Sequence, residues 1–83
     1  MITAAQIRAA RALLKWTQAM LATRSGLSIV TLNMIESERV RPRKGSIAAI
    51  RDALESGGVE FIGDTGGGLG VRFGAKASVL QQS

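Results

Sequence analysis

The chain has no cysteine and no histidine among its 83 residues. Without cysteine it forms neither disulfides nor thiolate metal sites, which argues against a small extracellular protein held together by disulfides. Without histidine it lacks the commonest metal ligand and the usual acid–base group at neutral pH. No apolar run approaches the ~20 residues that span a bilayer. We therefore expect no catalytic residues, no metal, no cofactor and no membrane contact.

The chain is also too short for more than one small domain. A domain of this length buries only ~60–65% of the surface that its unfolded chain exposes, so its core is modest. Apolar residues make up 46% of the sequence, which is typical of a globular protein rather than a disordered one. The composition indicates a small basic protein of a reducing compartment, and we expect it in the cytoplasm.

Positive charge is concentrated in the first half of the chain. The formal net charge is +5, and residues 1–44 hold eight of the eleven basic residues with only two acids, Glu36 and Glu38. A focused positive surface favours polyanions, nucleic acid first and anionic membrane second. A solvated basic face with no partner is the alternative, because a net charge of +5 is not extreme.

Hydrophobic spacing and capping residues predict four short helices. Helix N-caps are expected at Thr3, Thr17 and Ser28, and Gln6 can complete a capping box with Thr3. The predicted helices span residues 3–14, 17–24 and 28–37, and a fourth opens at Ser46 and ends at Gly57-Gly58. The expected inward stripe of the third helix is Thr31, Leu32 and Ile35.

Glycine marks a change of structure in the second half. Nine of the ten glycines lie at or after Gly45. Residues 59–62 and 71–73 alternate like two short strands around a glycine-rich turn, so a β-hairpin is expected over 59–73. Glu60 and Arg72 would then pair across the strands. A phosphate-binding loop at 66–70 is disfavoured because no helix follows it. Residues 74–83 are expected to form a flexible tail.

Two opposite charges occupy positions where apolar residues are expected. Arg11 lies on the apolar stripe of the first helix, between Ile7 and Leu14, and Glu36 lies four residues after Leu32. An unpaired charge facing a core is very costly. We expect Arg11 and Glu36 to meet in a structural salt bridge between the first and third helices. The alternative is that both side chains extend to solvent.

Residues 17–36 carry a helix-turn-helix pattern: a short helix, a tight turn at Gly26, and a second helix capped by Ser28. Such a second helix enters the DNA major groove, which admits one α-helix, while the preceding helix crosses the phosphate backbone.

At these residues the chain resembles the Cro/repressor-type (XRE) helix-turn-helix family of transcriptional regulators. The resemblance covers roughly residues 5–56. It is carried by several motifs together: Trp16-Thr17-Gln18, Leu21-Ala22, Gly26-Leu27-Ser28, Leu32, Ile35-Glu36, the basic loop ending near Pro42, and Ser46-Ile47. It implies a mainly α fold, a compact bundle of four short helices over 1–58, followed here by the hairpin. In this family, an arginine and a glutamate at the positions of Arg11 and Glu36 form an ion pair.

The resemblance also implies which residues contact DNA. The base-reading positions would be Gln18, Ile29, Val30, Asn33 and Met34. The phosphate-binding positions would be Thr17, Ser28, Arg39, Arg41, Arg43 and Lys44.

The outward positions of the third helix depart from the commoner pattern, which has Arg, Lys or Gln there. Only Asn33 can hydrogen-bond a base edge, and asparagine suits adenine. Ile29 and Val30 could contact thymine methyl groups, which favours A·T pairs. An apolar outer face could instead bind a protein, as in an antitoxin or another interaction module.

One such helix reads only a few base pairs, so we expect a homodimer on a two-fold operator in double-stranded DNA. The hairpin 59–73 is the candidate dimerisation element, because an exposed strand edge can pair with its copy. The alternative is that it only covers the fourth helix. The sequence as a whole indicates a DNA-binding transcriptional regulator of bacterial or phage type, and autoregulation is one role open to it.

Overall fold

The computed structural model describes residues 1–63 and 67–74. Over these ranges four helices precede a two-stranded antiparallel sheet. The elements are α1 (Ala4–Leu14), α2 (Gln18–Ser25), α3 (Ile29–Glu36), α4 (Lys44–Ser56), β1 (Val59–Ile62) and β2 (Gly70–Phe73). The expected helical bundle with a C-terminal hairpin is confirmed. The tail predicted over 74–83 lies, apart from Gly74, outside the described residues.

The first three helices begin at the predicted caps. The Thr3 hydroxyl accepts the backbone N–H of Gln6 at 3.2 Å, and Gln6 Oε1 accepts the N–H of Thr3 at 2.9 Å, which completes the capping box. Thr17 and Ser28 each accept, at 3.1 Å, a backbone N–H from three residues further along. These bonds satisfy N–H groups that a helix start leaves without a partner.

Two expectations about the helices are wrong. Helix α4 begins at Lys44 instead of Ser46, because the extended backbone of Arg43 starts the helix without a side-chain cap. Lys44, a predicted phosphate-binding residue, therefore lies in the first turn of α4. Thr31 is exposed instead of inward, because the third position of α3 lies beside the capping hydroxyl of Ser28, which donates to it at 2.9 Å.

The core joins all four helices. Its largest fully buried side chains are Ile7, Leu21, Leu32, Ile50 and Leu54. Burial of each such side chain contributes about 1.5–3 kcal/mol. No helix within the described ranges is long and apolar enough to cross a membrane.

The hairpin packs on this core with one face. Val59 is buried, and Phe61, Val71 and Phe73 pack against the cluster that it joins. On the other face, Arg72 Nε donates to Glu60 Oε1 at 3.0 Å, as the pairing register predicts. The hairpin is therefore part of the folded body and not an appendage.

A buried amide fastens the turn end of the hairpin to α1. Gln6, only 5% exposed, donates from Nε2 to the carbonyl oxygens of Ile62 at 3.1 Å and Gly70 at 2.9 Å. The same side chain therefore caps α1 and holds both strands.

The end of α4 approaches the single tryptophan closely. Gly57 has helical φ and ψ, so no positive φ requires glycine there. A Cβ at this position would lie 2.6 Å from Trp16 Cζ2 and 2.9 Å from Leu14 Cδ1. The missing side chain is what lets the indole ring pack across the end of α4.

Candidate nucleic-acid interface

The candidate interface is built on α2, the turn after it, and α3. The turn needs glycine, because Gly26 adopts φ +74° as the C-cap of α2. The backbone N–H of Leu27 then donates to the Ala22 carbonyl at 3.1 Å. The turn and the Ser28 cap fix the direction in which α3 leaves α2.

Helix α3 has a buried side and an open side. Leu32, Ile35 and Glu36 are buried. The four predicted base-reading residues of this helix are exposed: Ile29, Val30, Asn33 and Met34. Ile29 is 48% and Val30 64% exposed, although apolar side chains of this size are usually inside. The outward side of α3 is therefore available to a partner.

An ion pair anchors α3 to α1 from beneath. Arg11 donates from Nε to Glu36 Oε2 at 2.9 Å and from Nη2 to Glu36 Oε1 at 2.8 Å. Its Nη1 also donates to the Trp16 carbonyl at 3.0 Å. Glu36 is 3% exposed and the Arg11 side chain 21%, so the carboxylate lies inside and the guanidinium covers it. Two parallel bonds of this kind fix both distance and orientation.

Gln18 connects the ion pair to the outward side of α3. Its Nε2 donates to Glu36 Oε1 at 3.3 Å, and its Oε1 accepts from Asn33 Nδ2 at 3.4 Å. Gln18 and Asn33, both predicted to read bases, are therefore in contact with each other. Among the described residues, no buried side-chain polar atom lacks a hydrogen-bond partner.

The predicted phosphate-binding residues are all exposed, and two of them line a groove beside α3. Thr17 and Ser28 are exposed at the starts of α2 and α3, with their hydroxyls used as caps. Arg41 and Arg43 line a groove together with Met34 of α3. Arg39 lies three residues after the end of α3 and is exposed, as is Lys44 at the start of α4. No ion pair within the described ranges involves these four cations.

Sequence reasoning missed two contacts of cationic side chains near the interface. Arg8 donates from Nη1 to the backbone carbonyl of Glu36 at the end of α3. A cation at a helix C-terminus is favourable to the helix dipole. The guanidinium carbon of Arg24 lies 4.4 Å from the centre of the Trp16 ring, in a cation–π contact. Arginines on helix surfaces carried no signal for either partner.

Comparison with known proteins adds an independent observation. A helix-turn-helix family model matches residues 7–61, which includes all of α2, α3 and α4. That family comprises DNA-binding regulatory domains and is not a family of enzymes. No curated protein gave a significant match.

Proposed function

The chain belongs to the Cro/repressor-type helix-turn-helix family of DNA-binding regulators, and we propose that it binds double-stranded DNA sequence-specifically through α3. One observation carries this proposal: the exposed side of α3 adjoins the groove that Arg41 and Arg43 line. A helix in the major groove needs cations beside it, because phosphate contacts supply most of the affinity and fix the register.

The proposed division of roles follows the surface chemistry. Asn33 would hydrogen-bond a base edge, and Ile29, Val30 and Met34 would make apolar contacts with thymine methyl groups. Thr17, Ser28 and the cations Arg39, Arg41, Arg43 and Lys44 would contact phosphates. Such an interface prefers A·T pairs at the contacted positions.

The first experiment is a fluorescence-anisotropy titration at several salt concentrations. One probe is the duplex from upstream of the gene for this chain, and the other contains the same bases scrambled. Tighter binding to the upstream probe at ~150 mM salt, with affinity falling steeply as salt rises, supports an autoregulatory DNA-binding protein. Equal weak binding to both probes contradicts autoregulation and leaves only attraction between charges.

We further propose that two copies bind a two-fold operator, in the cytoplasm of a bacterial or phage-infected cell. The open edges of the hairpin are the candidate contact, because an unpaired strand edge can pair with its copy. Gly74 donates its backbone N–H to the Gly58 carbonyl at 2.8 Å. Since such pairs alternate along an antiparallel ladder, the N–H of Val71 should point away from β1.

Sedimentation of the full chain tests this contact. Val71→Pro removes the outward N–H, whereas Val71→Thr keeps it and serves as the matched control. We expect the proline variant to sediment as a monomer and the threonine variant as a dimer, both with native helix content. Dimers of equal stability in both variants would place the contact elsewhere. Deleting residues 58–83 is a poorer test, because it removes Val59 from the core.

A protein-interaction role, such as that of an antitoxin, is the second candidate function. The exposed apolar side chains of Ile29 and Val30 favour it, because contiguous exposed apolar surface often marks a protein contact. A toxin gene transcribed together with this one would support it. If the chain binds a specific DNA sequence tightly and substitution of Ile29 or Val30 abolishes this binding, the surface is primarily a DNA-binding surface.

A further inference from the structure

The hydrogen bonds of Gln18 link the buried ion pair to the outward side of α3. Three side chains form a chain of contacts from the interior to the surface: Glu36 is buried, Gln18 is half-buried, and Asn33 is exposed. The two links are the 3.3 Å bond from Gln18 Nε2 to Glu36 and the 3.4 Å bond from Asn33 Nδ2 to Gln18 Oε1. Each link joins two different helices or two different depths in the protein.

The charge of Glu36, at the buried end of this series of contacts, determines which group donates in each hydrogen bond. Glu36 is held by two donors of Arg11, and an ionised carboxylate only accepts hydrogen bonds. Gln18 must therefore turn its NH₂ group toward Glu36, which leaves its carbonyl oxygen facing Asn33. That oxygen can only accept, so Asn33 in turn must direct its NH₂ group toward Gln18.

One amide orientation of Asn33 is selected as a result. One Nδ2 hydrogen is used by Gln18, while the second hydrogen and the Oδ1 acceptor remain free. A free donor and a free acceptor on one amide match the N7 acceptor and N6 donor of adenine in the major groove. The ion pair inside the protein therefore determines how the amide is presented outside.

We propose that Gln18 is a positioning residue, which transmits the orientation of Glu36 to Asn33 and thereby sets the preference of Asn33 for adenine. The inference rests on the proposed function, since it assigns a role within the DNA-reading surface. It differs from the family expectation that Gln18 itself reads bases. It also differs from a simple phosphate contact, which would not distinguish sequences.

The experiment compares base preference across four proteins. The probe is the duplex that the wild-type chain selects from a randomised pool, with each A·T pair replaced in turn. Binding is measured for the wild type, Gln18→Met, Asn33→Ala and the double variant. Methionine is close to glutamine in length and helix propensity and lacks the amide. Thermal melting of each protein checks the fold.

We expect Asn33→Ala to remove an adenine preference of about fivefold to a hundredfold at one position, as is typical of a bidentate contact. Gln18→Met should lower the preference at that same position about twofold to tenfold, because Asn33 must then be ordered on binding. The salt dependence should not change. The double variant should show no further loss relative to Asn33→Ala.

Three results would overturn the inference while leaving the proposed function intact. Additive losses in the double variant would mean that Gln18 reads a base on its own. Equal loss on every duplex would mean a phosphate contact, or a purely structural role if the melting temperature also fell. An unchanged preference in Gln18→Met, while the wild type still selects a motif, would leave DNA binding intact and refute only the positioning role. If the wild type selects no motif, the proposed function fails and this inference fails with it.

Discussion

Replacing Arg11 with alanine should destabilise the fold far more than replacing any surface arginine. The change removes two hydrogen bonds to Glu36 and one to the Trp16 carbonyl. Glu36, 3% exposed, would keep only the 3.3 Å contact from Gln18 as a side-chain partner among the described residues. A buried carboxylate without its cation is the costly outcome, because its lost hydration is no longer compensated.

The expected magnitude is about 3–5 kcal/mol, which is typical of breaking a buried pair by removing one partner. A chain of this length has a total unfolding free energy of roughly 4–12 kcal/mol. The variant would therefore lose about a quarter or more of its stability. At about 4–8 °C per kcal/mol for a domain of this size, the melting temperature should fall by at least about 12 °C.

Urea denaturation followed by circular dichroism measures this loss. The matched control is Arg72→Ala, which breaks the pair with Glu60 whose side chains are 68% and 52% exposed. We expect that control to cost about 1 kcal/mol or less. Equal small losses in both variants would refute the argument that Arg11 compensates a buried charge.

A double variant separates charge from packing. Changing Arg11 and Glu36 to methionine together removes both charges and keeps most of the side-chain volume. Replacing a buried ion pair in this way is often neutral or stabilising. We therefore expect the double variant to be more stable than Arg11→Ala. If the double variant is no more stable, the loss came from packing and not from the unpaired carboxylate.

Three further predictions concern stability and DNA binding. Gly57→Ala should lower the free energy of unfolding in urea by about 1–3 kcal/mol, since its Cβ would overlap the Trp16 ring. Gly45→Ala, with open space around it, should raise that free energy by about 0.4–1 kcal/mol. Changes of the same sign in both variants would contradict this reasoning. Gln6→Met should cost about 1–3 kcal/mol, because two hairpin carbonyls lose their shared donor; loss of hydrogen-exchange protection centred in the hairpin is the expected signature, and unchanged protection there would count against it. Arg41→Ala should weaken binding to all duplexes about equally and reduce the slope of log K on log salt by about 1; a loss confined to one base pair would mean that Arg41 reads sequence.

Local signals explain why most helix starts could be predicted. Thr3, Thr17 and Ser28 are capping residues directly before apolar periodicity, and each is the observed cap. Helix α4 begins two residues before the predicted Ser46, because Arg43 caps it without a side-chain bond that the sequence could signal. The exposure of Thr31 is hard to predict, because an eight-residue helix has too few turns for its apolar spacing to define the edge of its buried side.

Some long-range contacts could be predicted from the sequence and others could not. The salt bridge between Arg11 and Glu36 was foreseeable because two opposite charges interrupted two apolar stripes. The contact of Gln6 with the hairpin was not, since its partners are backbone carbonyls more than fifty residues away. The close packing of Trp16 against Gly57 could not be predicted either, because glycine commonly follows a helix whether or not a ring packs against it. The predicted DNA contacts remain predictions.

The buried side of α3 contributes to the stability of the fold, whereas its outward side would determine the binding partner. Leu32, Ile35 and Glu36 are buried in the domain, whereas Ile29 and Val30 face away from it. Mutations at the outward positions can therefore accumulate without selection against misfolding. In evolutionary terms, a lineage can acquire a new binding partner by changing a few side chains of one helix while the scaffold beneath is inherited intact.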